Sequence, residues 1–346
     1  MALAANLSNF TAPHAGRQLR ADLCYLPALW AKDGDAVLVD NVERASRQWQ
    51  RLRNRVVGNN MCAGRVVFVD RKMLSRIPLD DVEPWGWDRA LCDMLRRYGL
   101  DGRLLPSAEQ LDAIRLLSHR RQAAMLLQQL QTDGTVGEAV ECMTADEVAR
   151  ELGRFGRIVL KAPWSSSGRG LRFCDSARHS INEITSNNNW LANVISRQGS
   201  VMVEPIYNKV KDFGLEFSAD GQGRVSYCGL SLFHTANGAY TGNVLATENA
   251  KRQLLGRYVS LQLLDSVRDK IIESLHLGNY SGPFGIDMMV VRADDGHALL
   301  HPCVEINLRR TMGHAALSVY CGDDEVRRTM RIDFDGTNYK LRIRKL

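Results

Sequence analysis

Residues 158–173 read Ile-Val-Leu-Lys-Ala-Pro-Trp-Ser-Ser-Ser-Gly-Arg-Gly-Leu-Arg-Phe. Ile158, Val159 and Leu160 are a short apolar run that fits a buried strand. Lys161 closes that run, and a loop of small residues leads to a second strand. Ser165, Ser166, Ser167, Gly168 and Gly170 let the backbone wrap closely around an anion, because successive N–H groups in such a turn form a nest. Lys161 and Arg169 add positive charge. The local chemistry suits a triphosphate grip. A hairpin turn would use the same residues, so the rest of the chain has to decide between them.

Composition narrows the field. The 346 residues are enough for two or three domains with their own cores. The chain is 45% hydrophobic and 24% charged, the balance of a soluble globular protein. No apolar run is long enough to span a bilayer. Met1 to Asn6 lack the basic and long apolar regions of a secretory signal. The eight cysteines are scattered without a C-x-x-C pair, which argues against a zinc site or a disulfide framework. A reducing cytoplasm is the expected compartment. The net charge of +6 is mild for this length, and the cations are spread out except in the tail Lys340–Lys345. Anionic small molecules are expected as partners, rather than nucleic acid or membrane. Leu341 and Ile343 alternate with Arg342 and Arg344, so the tail reads as a last strand.

In chain order, a helix is predicted from near Pro13 through Leu19, Leu23 and Leu26 toward Trp30. Strands follow at Ala36–Val39 and Arg65–Val69, with an amphipathic helix at Val42–Arg53 between them. Asp88 is the predicted N-cap of a helix through Leu91 and Leu95 that Gly99 ends. This alternation predicts an α/β unit with a parallel sheet up to about residue 115. Such a unit normally opens on a strand, and none is legible before Pro13. Leu111–Leu130 reads as one long helix. Thr144-Ala-Asp-Glu147 is a capping box that opens a helix to about Phe155. A helix at 190–197 and a strand ending at Glu204 follow. Phe213–Ser218 and Arg224–Phe233 read as antiparallel strands, and His234–Asn243 as a polar loop. A helix at Val259–Leu275 precedes two strands, Phe284–Val291 and Ala298–Ile306.

Those last strands carry the second sharp pattern. Asp287 lies in Gly285-Ile-Asp-Met-Met, and Glu305 and Asn307 lie in Cys303-Val-Glu-Ile-Asn-Leu-Arg-Arg310. Glu305 and Asn307 are two apart on an extended chain and share one face. Asp287 on the neighbouring strand can face them. Two carboxylates and an amide oxygen are a hard-oxygen set suited to Mg²⁺ or Mn²⁺ with phosphate oxygens and water.

Taken together, these motifs resemble the ATP-grasp superfamily, and biotin carboxylase and related carboxylate ligases in particular. In that pattern Lys-Ala is followed by small residues and Gly-Arg-Gly-apolar-Arg. Here Lys161-Ala162 leads to Gly168-Arg169-Gly170-Leu171-Arg172. The family's Glu-x-Asn-x-Arg is Glu305, Asn307 and Arg309. The resemblance covers roughly residues 115–320. It implies a pre-ATP-grasp α/β domain at 1–115 and a two-lobed ATP-grasp fold, with a small lobe at 116–203 and a large lobe at 204–346. It implies ATP as co-substrate, with Arg120, Lys161, Ser165–Gly170, Glu204 (adenine) and Asp212 (ribose) binding nucleotide. It implies Asp287, Glu305 and Asn307 as metal ligands, and Lys161 and Arg309 as catalytic cations. Arg120 stands where the family usually has a lysine and keeps the charge. Pro163 and Trp164 stand where biotin carboxylase has glycines, which implies a less mobile loop.

The implied reaction is activation of a small-molecule or peptide carboxylate as an acyl phosphate and its coupling to an amine. A kinase of the same fold and a non-catalytic nucleotide-binding regulator are the alternatives. Arg310, His314, Tyr240, Asn243, Trp85, Trp87 and His14 are candidates for the acceptor site. A homodimer is expected by analogy with the architecture.

Overall fold

The computed structural model describes residues 14–56, 65–165, 170–177, 189–236, 239–319 and 328–345. The first part of the chain packs helices α1 (His14–Asp22), α2 (Val42–Val56) and α3 (Arg89–Arg97) around a parallel pair, β1 (Ala36–Leu38) and β2 (Val67–Val69). The predicted parallel sheet is thus two short strands. Asp88 caps α3 as expected, its carboxylate accepting the Leu91 N–H at 2.7 Å.

Leu111–Leu130 is not one helix. It is α4 (Ala108–Leu117) and α5 (Arg121–Gln129), broken at Ser118-His119-Arg120. Side chains compete with the helix ladder there. The Ser118 hydroxyl donates to the Ile114 carbonyl at 2.7 Å, and the His119 ring accepts the Arg121 N–H at 3.0 Å. The break turns Arg120 out of the helix line.

Two antiparallel sheets follow. The smaller has the order β3-β6-β4-β5, from β3 (Val140–Cys142), β4 (Arg157–Lys161), β5 (Leu171–Asp175) and β6 (Val201–Pro205). Helices α6 (Ala145–Phe155) and α7 (Asn189–Gln198) flank it and share its core. The Thr144–Glu147 capping box opens α6 as the sequence predicts.

The larger sheet has seven strands in the order β11-β10-β7-β8-β9-β12-β13. These are β7 (Lys209–Asp220), β8 (Val225–Ala236), β9 (Ala239–Leu245), β10 (Ser281–Arg292), β11 (Ala298–Asn307), β12 (Arg328–Phe334) and β13 (Tyr339–Lys345). The predicted polar loop 234–243 is therefore mostly strand: β8 and β9 pair from Phe233–Asn243 to Ala236–Ala239. Turn-forming residues masked a hairpin whose alternation is weak. Two helices, α8 (Glu248–Leu255) and α9 (Leu261–Ser274), pack on the sheet, and α8 was not legible in the sequence.

Alternation along β7 and β10 divides the large sheet. Phe213, Leu215, Phe217, Phe284, Ile286 and Met288 are buried in the main core, where Phe217 stacks on Phe284 at 5.2 Å. Each such side chain contributes about 1.5–3 kcal/mol by burial. Gly214, Glu216, Gly285 and Asp287 therefore point to the opposite face. The last strands return to the start of the chain, where Met330 and Leu341 share a core with Leu23, Tyr25 and Trp85.

Candidate active site

Lys161 ends β4 opposite Met202 of β6, two pairs along from Val159, which faces Glu204. Its Nζ donates to Glu204 Oε2 at 2.5 Å, and both side chains are buried. His301 of β11 is also fully buried beside them, edge-on to Tyr207 at 5.5 Å. Burial and the Lys161 charge push its pKa down to about 3, so the ring is neutral. Neither of its ring nitrogens has a hydrogen-bond partner among the described residues. A buried unpaired polar ring is costly and marks a place where a ligand can complete the bonding.

Arg120 joins the two motifs. Its Nε–H donates to the Ala162 carbonyl at 3.1 Å and its terminal nitrogen to Ser165 Oγ at 3.2 Å. The same terminal nitrogen lies 3.1 Å from Glu305 Oε1. Ser166, Ser167, Gly168 and Arg169 lie outside the described residues. The base of their loop is pinned: Trp164 Nε1–H donates to the Arg115 carbonyl at 2.8 Å, and the Arg115 guanidinium lies 4.3 Å from the indole centre. The Pro163-Trp164 substitution for glycines thus anchors one end of the loop to α4.

Asp287 pairs directly with Glu305 on β11 and with Gly214 on β7. Asn307 Nδ2–H donates to Asp287 Oδ2 at 3.1 Å, and Arg309 donates to Asn307 Oδ1 at 2.8 Å. Desolvation, with Glu305 and then Glu216 as like charges, pushes the Asp287 carboxyl up to about 7, against the opposing effect of Arg309 and Asn307. Among the described residues no three His, Cys, Asp or Glu side chains converge on a metal position. The set is two carboxylates and an amide, which fits Mg²⁺ when phosphate oxygens and water supply the remaining ligands. The crowded carboxylates also fit, since a divalent cation relieves the repulsion that raises Asp287. For Asn307 to ligate, its amide oxygen must leave Arg309.

Asp212 of β7 accepts from Lys209 at 2.6 Å and from Thr235 Oγ1 at 2.5 Å. Tyr240 donates to Asn243, whose Nδ2–H donates to Ser231 Oγ at 2.8 Å, a run from the rim of the sheet to its buried face. Trp85 is buried edge-on to Trp30 at 5.8 Å, and Trp87 packs against two cores. The side chain of His14 lies outside the described residues.

One buried carboxylate escaped the sequence reading. Glu216 is 3% exposed and sits between Gly285 on β10 and Gly229 on β8. A Cβ at Gly285 would lie 2.5 Å from Glu216 Oε2, and one at Gly313 only 1.8 Å from Oε1. Only glycine lets the short helix α10 (Met312–Leu317) come down on this carboxylate. The signal was a lone acid in the apolar strand Phe213-Gly-Leu-Glu-Phe217. His314 Nδ1 lies 2.9 Å from Glu216 Oε2, and its Nε2 lies 3.1 Å from the Phe217 carbonyl.

Burial opposes protonation of His314, but Cys228 and Glu216 outweigh it and raise its pKa to about 9. A folded-state pKa above the unfolded value of about 6.5 means that the pair stabilises fully below that pH. The contribution is lost as pH rises through about 9. The unfolding free energy from urea titrations should therefore fall from pH 6.5 to 9.5, by on the order of 1–3 kcal/mol. A His314→Gln protein should show a flatter profile, and parallel profiles would refute the pairing.

The two antiparallel sheets, with Arg120 joining the end of β4 at Ala162 and Ser165 to Glu305 of β11, have the ATP-grasp fold. No family model matches the chain, and no curated protein matches it. Among solved structures, the biotin carboxylase domain of the Hydrogenobacter thermophilus 2-oxoglutarate carboxylase is similar at a TM-score of 0.50 and 14% identity, over 87% of this chain and 75% of that one. That structure is a dimer in complex with MgADP, ADP and bicarbonate. N5-carboxyaminoimidazole synthetase from Staphylococcus aureus, complexed with ADP, aligns at a TM-score of 0.49 and 13% identity, over 88% and 83%. D-alanyl-alanine synthetase A from Vibrio cholerae aligns at 0.47 and 14%, over 82% and 90%. At these identities the likeness is one of fold. No helix of the described residues is long and apolar enough to cross a membrane.

Proposed function

We propose that this protein is an ATP- and Mg²⁺-dependent ligase that activates a carboxylate as its acyl phosphate and couples it to an amine. The observation that carries this reading is Arg120, whose guanidinium spans Ser165 of the phosphate loop and Glu305 of the carboxylate pair. One cation thus ties together the two halves that must meet at the transferring phosphoryl group. In this reading the small lobe (116–203) and the large lobe (204–346) close on ATP.

Lys161 and Arg120 bind phosphate oxygens, and Glu204 and His301 face the base. Asp287, Glu305 and Asn307 hold the metal, which when bound neutralises charge on the phosphates and on the leaving oxygen. Arg309, bonded here to the Asn307 amide oxygen, is freed when that oxygen turns to the metal and then faces the developing negative charge. Phosphoryl transfer asks little covalent chemistry of the protein, so positioned cations are sufficient.

The test is incubation with ATP, Mg²⁺ and pooled carboxylates, with and without amines. Phosphate release that requires both a carboxylate and an amine is the expected result. A stable phosphorylated product would make the protein a kinase, and ATP binding without turnover on any pool would make it a regulator.

A further inference from the structure

A cleft of about 800 Å³ opens between the first part of the chain and the large sheet. Arg310 and His314 lie on its inner side, and Trp85, Trp87 and Tyr280 add aromatic wall. The Arg309 guanidinium turns back to Asn307, while Arg310 lines the cleft.

Arg310 is a built cation. It is 8% exposed, its guanidinium lies 4.2 Å from the Trp30 ring centre, and its backbone N–H donates to the Trp85 carbonyl at 2.7 Å. Its Nε is buried with no hydrogen-bond partner among the described residues. Its terminal nitrogen is paired with Glu83. The partners are unequal: the Arg310 side chain is 9% exposed and that of Glu83 is 56% exposed. A buried guanidinium half-satisfied by a solvent-facing carboxylate is a seat whose occupant can be exchanged. The neighbouring His314 lines the same wall, its Nδ1 already engaged by the buried Glu216, so Arg310 is the cation left for a ligand there. The mouth is acidic on balance, with Asp80, Asp81 and Glu109 exposed beside Glu83 against the exposed Arg103, which is paired with Asp101.

We infer that this cleft binds an amphoteric acceptor, an amino acid or short peptide, whose carboxylate replaces Glu83 on Arg310 while its ammonium faces the acidic mouth. The inference rests on the ligase reading only in calling the ligand an acceptor, because binding itself needs no ATP.

The experiment is a fluorescence titration, since Trp30 touches Arg310 and two further tryptophans line the cleft. The probes are the L-amino acids and a glycyl dipeptide set, each compared with its C-terminal amide and its N-acetyl form. At least one free acid should bind saturably, and its amide should bind roughly 10–100-fold more weakly, the worth of a charge-assisted pair. N-acetylation should weaken binding less. Arg310→Gln should reproduce the loss on the free acid and leave the amide unaffected. Glu83→Gln, at an exposed position, should tighten the acid roughly 3–10-fold by removing the competing occupant.

No saturable binding by any probe overturns the inference, as does equal binding of acid and amide, or weaker binding by Glu83→Gln. Binding as expected without ATP turnover in the presence of amines would sink the ligase reading and leave this one standing. Amine-dependent turnover with acceptors that ignore Arg310 would do the reverse.

Discussion

Asp287→Asn is expected to lower ATP turnover by about 10²–10³-fold, the usual cost of removing a preorganised charge, and at the same time to stabilise the protein at neutral pH. The two effects have one cause. The Asp287 carboxyl is pushed up to about 7 by desolvation, Glu305 and Glu216. An acid whose folded pKa lies above its unfolded value costs stability as pH rises above the unfolded value of about 3.9. The cost is complete above about 7, where the folded carboxyl ionises. Asparagine carries no such charge, so the variant should gain on the order of 1–3 kcal/mol at pH 8 and nothing at pH 3.5.

Mg²⁺ should stabilise the parent protein, because it binds the folded carboxylates and not the dispersed ones. It should have little effect on Asp287→Asn or Glu305→Gln. Urea midpoints at the two pH values, with and without Mg²⁺, check this without any substrate. A variant that turned over ATP normally, or that was less stable at pH 8, would remove Asp287 from the metal site.

The motifs that were legible in the sequence are those in which one residue type at a fixed spacing does one job. Glu305 and Asn307 share a face because strand side chains alternate, and Asp287 meets Glu305 because the two strands form one antiparallel pair. The tail alternation of Leu341 and Ile343 also gave a strand, β13. The rest depended on long-range contacts. Nothing local marks Ser118-His119-Arg120 as a break in the helix. The break follows from Ser118 and His119 bonding to backbone, and it pays off only where Arg120 meets Ser165 and Glu305. Glu216 was overlooked for a similar reason. Its site is made by glycines on three other elements, at 229, 285 and 313, which no window along β7 contains. His234–Asn243 looked like a loop because its polar residues pair across β8 and β9 rather than alternate along either strand.

Lys161→Met separates structural from functional worth at the other end of the site. Lys161 and Glu204 are each more than nine-tenths buried and joined by a single charge-assisted bond. Removing one partner of such a pair leaves the other charge buried alone, at a cost of about 3–5 kcal/mol. The single variant should therefore unfold at markedly lower urea. Replacing both, as Lys161→Met with Glu204→Leu, should recover most of that loss, since well-packed apolar residues are often neutral or better at buried ion-pair sites. ATP affinity should respond differently. It should fall roughly 10–100-fold in the single variant, as for a lost charge-assisted hydrogen bond to phosphate, and it should not recover in the double. Recovery of stability without recovery of affinity would mean that the pair is kept for the nucleotide: Lys161 is held by Glu204 until phosphate oxygens compete for its ammonium. If affinity recovered together with stability, the pair would be a brace between β4 and β6, and phosphate binding would fall to Arg120 alone.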